Sequence, residues 1–425
     1  MTLAELLAEC QGVASHPGQQ QRYNGHKCVR PQPTGELTSE RGTMTSATMS
    51  CVGVFDVDAN LQEKDSVDCY SGEMLLSESP RTVSGIDAFV CVRDSSALPS
   101  PPFGKKLPGP RPFEDGTVDV KRCARKRRIR FGSLTASGGD ATRSYKMAYR
   151  IYRPELLGST ERAPIVAIHG GPSLPSQYLY PLAEQFPDRS VIFYDQLGCG
   201  KSCSPSDLGV YGLAKSVDDL ESLLDSLKVP RFHLFGHSFG GVIAYEYCKR
   251  LAEKAGREDP GWMDDPDILS VMLSNTFTCA KLCNTERDRL LSELSSGALS
   301  RVDTEEDLEE KFWQLHQCCL SSTPSALEDA INHWGVPWHE RPSSPLSSYT
   351  ALPPSRWASD LPPALIIRGE RDFVTPACVK GWRGAIWNHE DVTEATLKGC
   401  AHYCHLEDAT AFGSLAWGFC QGLDP

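Results

Sequence analysis

From about residue 128 onward, short apolar runs alternate with amphipathic stretches of helical length. Residues 145–152 alternate polar and apolar as a half-buried strand does. Pro164-Ile-Val-Ala-Ile168 and Val191-Ile-Phe-Tyr194 are continuous apolar runs, the mark of strands covered on both faces. Between 216 and 227, Val217, Leu220, Leu223, Leu224 and Leu227 recur at three- and four-residue spacing, which puts one apolar stripe on a helix. The same pattern predicts strands at 232–235, 268–273, 364–367 and 393–397, and helices at 241–252 and 409–419. Strands alternating with helices predict an α/β fold, a mostly parallel sheet with helices on both faces. Its ligand chemistry belongs at the C-terminal ends of the strands.

Two stretches break this rhythm. Residues 276–357 are polar and predict a largely helical cap inserted between two strands; Trp313, Trp334, Trp338 and Trp357, half of the eight tryptophans, are expected to pack it on the body or to contact substrate. Residues 1–127 show no sustained period and are punctuated by Gly, Ser, Thr and Pro, as in the proline-rich run 95–112. Such a segment buries too little apolar surface to offset its ordering entropy, so we expect a disordered N-terminal region followed by one domain at 128–425. A basic cluster, Lys121-Arg122 and Arg125 to Arg130, reads as a solvated linker rather than a polyanion site.

Composition narrows the class. Forty-three basic against 55 acidic side chains give a net charge of −12, which argues against nucleic acid or an anionic membrane as a general partner. No run approaches the length of a membrane-spanning helix. Glu5 and Glu9 interrupt what would have to be the apolar stretch of a signal peptide, and four Glu among the first forty residues weaken a transit peptide, so a soluble, cytoplasmic enzyme is expected. The seventeen cysteines include no C-x-x-C pair; reduced, mostly buried thiols are expected, and no metal site.

The chemistry gathers at strand ends. Gly236-His237-Ser238-Phe239-Gly240 follows the strand 232–235 and precedes a helix. That is the G-x-S-x-G nucleophile elbow in the context that gives it meaning: the chain reverses within a few residues and leaves a strained serine exposed. A serine needs a base, and the base needs a group to orient it. Asp372, in Arg368-Gly-Glu370-Arg-Asp372 after the strand 364–367, is the expected acid, with Glu370 as competitor; His402 is the expected base, with His405 as a packed or exposed neighbour. His169-Gly170-Gly171-Pro172 follows another strand, so the backbone N–H groups of Gly171 and Phe239 are expected to form the oxyanion hole.

The order His169-Gly-Gly-Pro172, then Asp195-Gln-Leu-Gly-Cys-Gly-Lys-Ser202, then the elbow, resembles the proline iminopeptidase family of α/β-hydrolases over about residues 128–425. The resemblance implies an α/β-hydrolase fold and a serine aminopeptidase that releases an N-terminal proline or another unblocked residue from short peptides or amides, without a metal or organic cofactor. Two departures stand out: Ser173 replaces the usual glycine after His-Gly-Gly-Pro, and the elbow Gly-His-Ser-Phe-Gly is a form shared with esterases and lipases. A small-ester substrate is therefore the alternative. The family also implies a cap carboxylate for the substrate's ammonium group, and Glu309, seven residues before His316, is the match. A nucleotide-binding alternative rests on Gly198-Cys-Gly-Lys-Ser202, but Asp195 stands where a P-loop needs its first glycine, and Pro205 follows where a helix should start.

Overall fold

The apolar runs pair into one eight-stranded sheet in a computed structural model that describes residues 112–123, 142–256, 265–296, 304–340 and 344–425. The strands are β1 (Phe113–Cys123), β2 (Thr142–Tyr152), β3 (Ile165–Ile168), β4 (Val191–Tyr194), β5 (Arg231–His237), β6 (Asp267–Ser274), β7 (Ala364–Gly369) and β8 (Val392–Leu397), in the order β1-β2-β4-β3-β5-β6-β7-β8. β1 and β2 run antiparallel to their neighbours; β3 through β8 are mutually parallel. The chain steps from β3 outward to β4 and then returns to β5 on the other side of β3. That reversal opens a crevice at the C-terminal ends of β3 and β5, where α/β sheets bind ligands. This is the α/β-hydrolase architecture that the sequence implied.

The period of two along each strand sorts side chains onto two faces. Val166, Ile168, Leu234, Val271 and Ile366 join one buried cluster with the stripe of helix α1 (Leu213–Leu227) and with helix α2 (Phe239–Ala255). Ile165, Ala167, Phe235, Met272 and Leu365 join a second cluster on the opposite face, which ends on Phe412 and Leu415 of the last helix, Ala409–Gln421. Each large side chain buried this way contributes roughly 1.5–3 kcal/mol.

The boundary expected at 127/128 falls too late. β1 pairs with β2 from Phe113↔Tyr152 to Cys123↔Thr142 and belongs to the sheet. Its sequence hides it: Val118 and Val120 are its buried apolar positions, and Arg122 takes the next inward place, bonded to Asp219 at 2.6 Å. The outward face instead carries ion pairs, Asp115 with Arg150 and Asp119 with Lys146. A sheet-edge strand held this way has too few apolar residues to show a period. Residues 1–111 and the basic stretch 124–130, on which the disorder and linker expectations fall, lie outside the described residues.

Between β6 and β7 the insertion is helical as expected, with α3 (Ala280–Ser296), α4 (Glu305–Phe312), a π-helical turn at Trp313–Gln317 and α5 (Ser325–Asn332). Thr304 caps α4 by accepting the Asp307 N–H, and Glu305, Glu306 and Asp307 sit where the helix dipole favours negative charge. Trp338 stacks on Tyr211 and meets the edge of Phe239, which pins the cap beside the elbow; Trp357, by contrast, is 64% exposed. Among the described residues no helix is long and apolar enough to cross a membrane.

A buried ion cluster closes the face opposite α1 and α2. Asp424 accepts from Arg189 Nη2 at 2.8 Å, from His233 Nε2 at 3.1 Å and from the Ala163 N–H at 3.1 Å. Burial opposes charge on His233, but Cys420 and the Asp424 carboxylate hold its pKa up at about 9; burial likewise opposes charge on Asp424, yet His233 and Arg189 keep its pKa below the usual carboxylate range. The raised His233 stabilises the fold fully below its ordinary 6.5, a contribution lost as the pH climbs through about 9. The lowered Asp424 stabilises it above its ordinary 3.8 and loses that as the pH falls. Asp424→Asn takes the buried counter-ion from Arg189 and leaves it only the part-exposed Asp188, at 3.2 Å, at a cost of up to about 3 kcal/mol and a fall in Tm on the order of 10 °C. Thermal unfolding of the variant at pH 6 checks this; a Tm within a degree of wild type would show that the cluster is not stabilising.

Candidate active site

The elbow forms because its glycines permit it. A Cβ on Gly236 would lie 2.5 Å from the Gly240 carbonyl oxygen, and one on Gly240 would lie 2.2 Å from the Ile168 carbonyl oxygen, so the turn can approach β3 only with glycine at both places. Ser238 adopts φ 53° and ψ −122°, a conformation that L-residues other than glycine rarely hold. It is held there by backbone bonds: its N–H donates to the Ser274 carbonyl at 2.8 Å, and its own carbonyl accepts the Gly241 N–H at 2.9 Å. The strained serine sits at the start of α2 with the Phe239 N–H behind it.

The structure sets Asp372, not Glu370, against His402. His402 Nδ1 donates to Asp372 Oδ1 at 2.9 Å, and both side chains are buried. The same oxygen accepts the Val374 N–H at 2.9 Å, and Oδ2 accepts from Asn275 Nδ2 at 2.7 Å. Glu370 instead accepts the Gly399 N–H at 3.0 Å and serves to close the turn ahead of His402. With Nδ1 occupied as a donor, a neutral His402 carries its lone pair on Nε2. His405 is packed away among Tyr178, His237, Tyr403 and Phe412, and burial pushes its pKa down to about 3.

Asn275 was not foreseen. It follows β6 directly, takes φ 55°, and its amide reaches both Asp372 and the Ala401 carbonyl, so it ties the acid loop to the histidine loop. An asparagine just past a strand, where a left-handed residue is tolerated, is the signal that was available.

The His169–Pro172 loop lies over the elbow: a Cβ on Gly170 would be 2.9 Å from the Ser238 Cβ. Asp195 secures this loop by accepting the Ser176 N–H and hydroxyl through Oδ1, and it folds the Gly198–Ser202 turn back by accepting the Lys201 N–H through Oδ2. Gln196 donates its N–H to His169 Nε2 and its side-chain amide to the His169 carbonyl. The Asp-Gln-x-Gly block is thus a brace for the neighbouring loop. No helix begins at Lys201-Ser202, and Lys201 Nζ pairs with Asp115, which removes the P-loop alternative. The Gly170 N–H is taken by the Tyr178 hydroxyl at 2.8 Å; among the described residues the N–H groups of Gly171 and Phe239 donate to no protein acceptor.

The cap reaches the site through its π-turn. The Gln317 carbonyl accepts the His402 N–H at 2.9 Å, the His316 carbonyl accepts the Phe373 N–H at 3.3 Å, and His316 Nδ1 donates to the Arg371 carbonyl. Glu407 adds a bond on each side, accepting the Cys319 N–H from the cap and the Ala401 N–H from the histidine loop; burial raises its pKa, against the pull of those two donors. Glu309 lies one turn earlier, and its carboxylate already has a cationic partner, Arg287 Nη2 at 3.3 Å on a part-exposed surface. Among the described residues its carboxylate makes no hydrogen bond or ion pair to Ser238, Asp372 or His402.

Comparison with known proteins agrees with this architecture. The model of the alpha/beta hydrolase family matches residues 165–414. The chain is 26% identical over 280 residues to a proline iminopeptidase of Lactobacillus delbrueckii subsp. lactis, covering 60% of this chain and 90% of that one. It is 28% identical over 266 residues to a proline iminopeptidase of Clostridium botulinum, covering 58% and 85%. The crystal structure of a proline iminopeptidase from Mycobacterium smegmatis superposes with a TM-score of 0.55 at 22% identity, covering 73% of this chain and 99% of that one, a likeness of fold.

Proposed function

We propose that this chain, which belongs to the alpha/beta hydrolase family, is a serine hydrolase that removes an unblocked N-terminal residue, proline among them, from short peptides or amides. The observation that carries the reading is the buried Asp372–His402 bond, taken together with an elbow serine held at φ 53°. Ser238 Oγ attacks the carbonyl carbon as His402 Nε2 takes its proton; Asp372 holds the tautomer and stabilises the imidazolium. The N–H groups of Gly171 and Phe239 receive the developing oxyanion, each such donor being worth about 3–4 kcal/mol. The imidazolium then gives its proton to the leaving amine. In the second half, His402 activates a water that cleaves the acyl-enzyme and frees Ser238. Every step uses groups of this chain.

The aminopeptidase half of the reading is supported by the two relatives described above from Lactobacillus delbrueckii and Clostridium botulinum, both proline iminopeptidases. Glu309 is a candidate for the substrate ammonium only if it shares its carboxylate with Arg287. An exposed pair of this kind is worth at most about 1 kcal/mol, so Glu309→Gln should lower kcat/KM for free-amine substrates by no more than about fivefold. The second reading, a small-ester hydrolase, keeps the same residues and draws on the Gly-His-Ser-Phe-Gly elbow. A fluorogenic panel of prolyl, alanyl and N-acetylated amides with short-chain esters separates the two. Free-amine amides should lead, with acetylation costing about ten- to a hundredfold in kcat/KM, the worth of a charge-assisted hydrogen bond. Preference for the esters or the acetylated amides would leave the esterase standing.

A further inference from the structure

His237, the variable residue of the elbow, is fully buried and takes no part in the chemistry above. Its two ring nitrogens nevertheless have fixed partners. Nε2 lies 2.8 Å from the His402 carbonyl oxygen, and Nδ1 lies 2.8 Å from the Tyr178 hydroxyl. A carbonyl only accepts, so Nε2 carries the hydrogen. Nδ1 is then the lone-pair nitrogen of a neutral ring, and the Tyr178 hydroxyl must donate to it. That leaves the Tyr178 oxygen free to accept, and it accepts the Gly170 N–H. The bonds run in one direction: Gly170 N–H to Tyr178, Tyr178 O–H to His237 Nδ1, His237 Nε2–H to the His402 carbonyl. Each polar atom in the relay is used in the one sense its chemistry allows.

Burial above all, then the neighbouring His402 and His405, keeps the His237 pKa well below the ordinary histidine value, which agrees with a neutral ring. The relay also completes the fixing of His402. Its N–H is bound by Gln317, its carbonyl by His237 and its Nδ1 by Asp372, so Nε2 is the polar atom left for the reaction. At the other end the relay takes the Gly170 N–H and leaves that of Gly171 for substrate. A phenylalanine would fill the same space. A ring with a donor and an acceptor on opposite sides is needed to bridge a hydroxyl and a carbonyl.

We propose that His237 and Tyr178 act as a pair of positioning residues, a hydrogen-bonded strut that sets the distance between the glycine loop at Gly170-Gly171 and the base His402. The proposal rests on the serine-hydrolase reading and deepens it. The strut touches loops that face the reacting atoms but does not reach the substrate, so its loss should appear in kcat with KM within about twofold. A misplacement of about an ångström costs about a hundredfold, so Tyr178→Phe and His237→Phe should each lower kcat by about ten- to a hundredfold. Because the two act as one unit, the double variant should be little worse than either single one. His237→Gln keeps a side-chain N–H near the Nε2 position and should recover a good part of the kcat lost in His237→Phe.

The test measures kcat and KM for these four variants on the best substrate of the panel, normalised to the fraction of Ser238 that a fluorophosphonate labels. Tyr178→Phe removes a single oxygen and is the variant expected to fold. The strut is overturned if Tyr178→Phe keeps wild-type kcat, if the losses vanish on normalisation to labelled serine, or if His237→Gln is no better than His237→Phe. Labelling or turnover that persists in Ser238→Ala would instead remove the underlying serine-hydrolase reading, a different result from any of these.

Discussion

Ser238→Ala is expected to lower kcat at least about a thousandfold while the protein keeps its fold. The substitution removes one hydroxyl oxygen and little else. The bonds that hold residue 238 in place are made by its backbone, to Ser274 and Gly241, and persist without the side-chain oxygen. Alanine meets the same strain at φ 53° that serine already bears, so the elbow has no new reason to open. What remains is the oxyanion site and substrate binding, which alone give a residual rate well above that of water. Steady-state rates beside matched circular dichroism and Tm, with chelator present to silence contaminating metallopeptidases, are the measurement. Turnover near wild type in the folded variant would mean that another group attacks the substrate.

Asp372→Asn should be nearly as damaging, a loss of about a thousand- to ten-thousandfold in kcat, and the reason can be read from the bonds around it. Oδ2 accepts from Asn275 Nδ2, a donor that cannot face the new NH2 group, so the NH2 is driven to the Oδ1 side. There it meets His402 Nδ1 and the Val374 N–H. His402 must then turn its lone pair toward residue 372 and carry its hydrogen on Nε2, the tautomer that cannot accept a proton from Ser238. Glu370→Gln keeps an oxygen for the Gly399 N–H and should change kcat by less than about threefold. The ranking is the test: a severe Glu370 variant beside a mild Asp372 variant would mean that the acid is misassigned.

The parts of the fold that were legible were those whose burial is written into every residue. β3, β4, β5 and β7 are covered on both faces, so their apolar runs need no context, and the ends of β5 and β7 point to Ser238 and Asp372 as candidates. β1 was missed because an edge strand faces water along much of its length, with Arg122 and Gly116 at positions where a period of apolar residues would have been looked for. Asn275, Tyr178 and Glu407 were missed for a different reason. Their roles are bridging hydrogen bonds, each with a partner far away in sequence, Asn275 to Asp372, Tyr178 to His237 and Glu407 to Cys319, and local composition does not name that distant partner. Glu309 shows the converse: an acidic helix offers several carboxylates at similar spacing, and nothing local told which of them Arg287 would claim.

The π-turn at Trp313–Gln317 has a consequence for anyone who would re-engineer specificity by grafting. In many insertions the guest segment can be exchanged like a tool bit, since the host supplies the machinery and the guest only selects what enters. Here the guest lends the host two backbone carbonyls, those of His316 and Gln317, and through Cys319 a share of Glu407. A chimaera bearing a foreign lid would lose the bonds to the Phe373 and His402 amides along with the old selectivity. Such a graft should turn over even its preferred substrate slowly unless the crossover points are set outside 313–319, so that the native turn travels with the body.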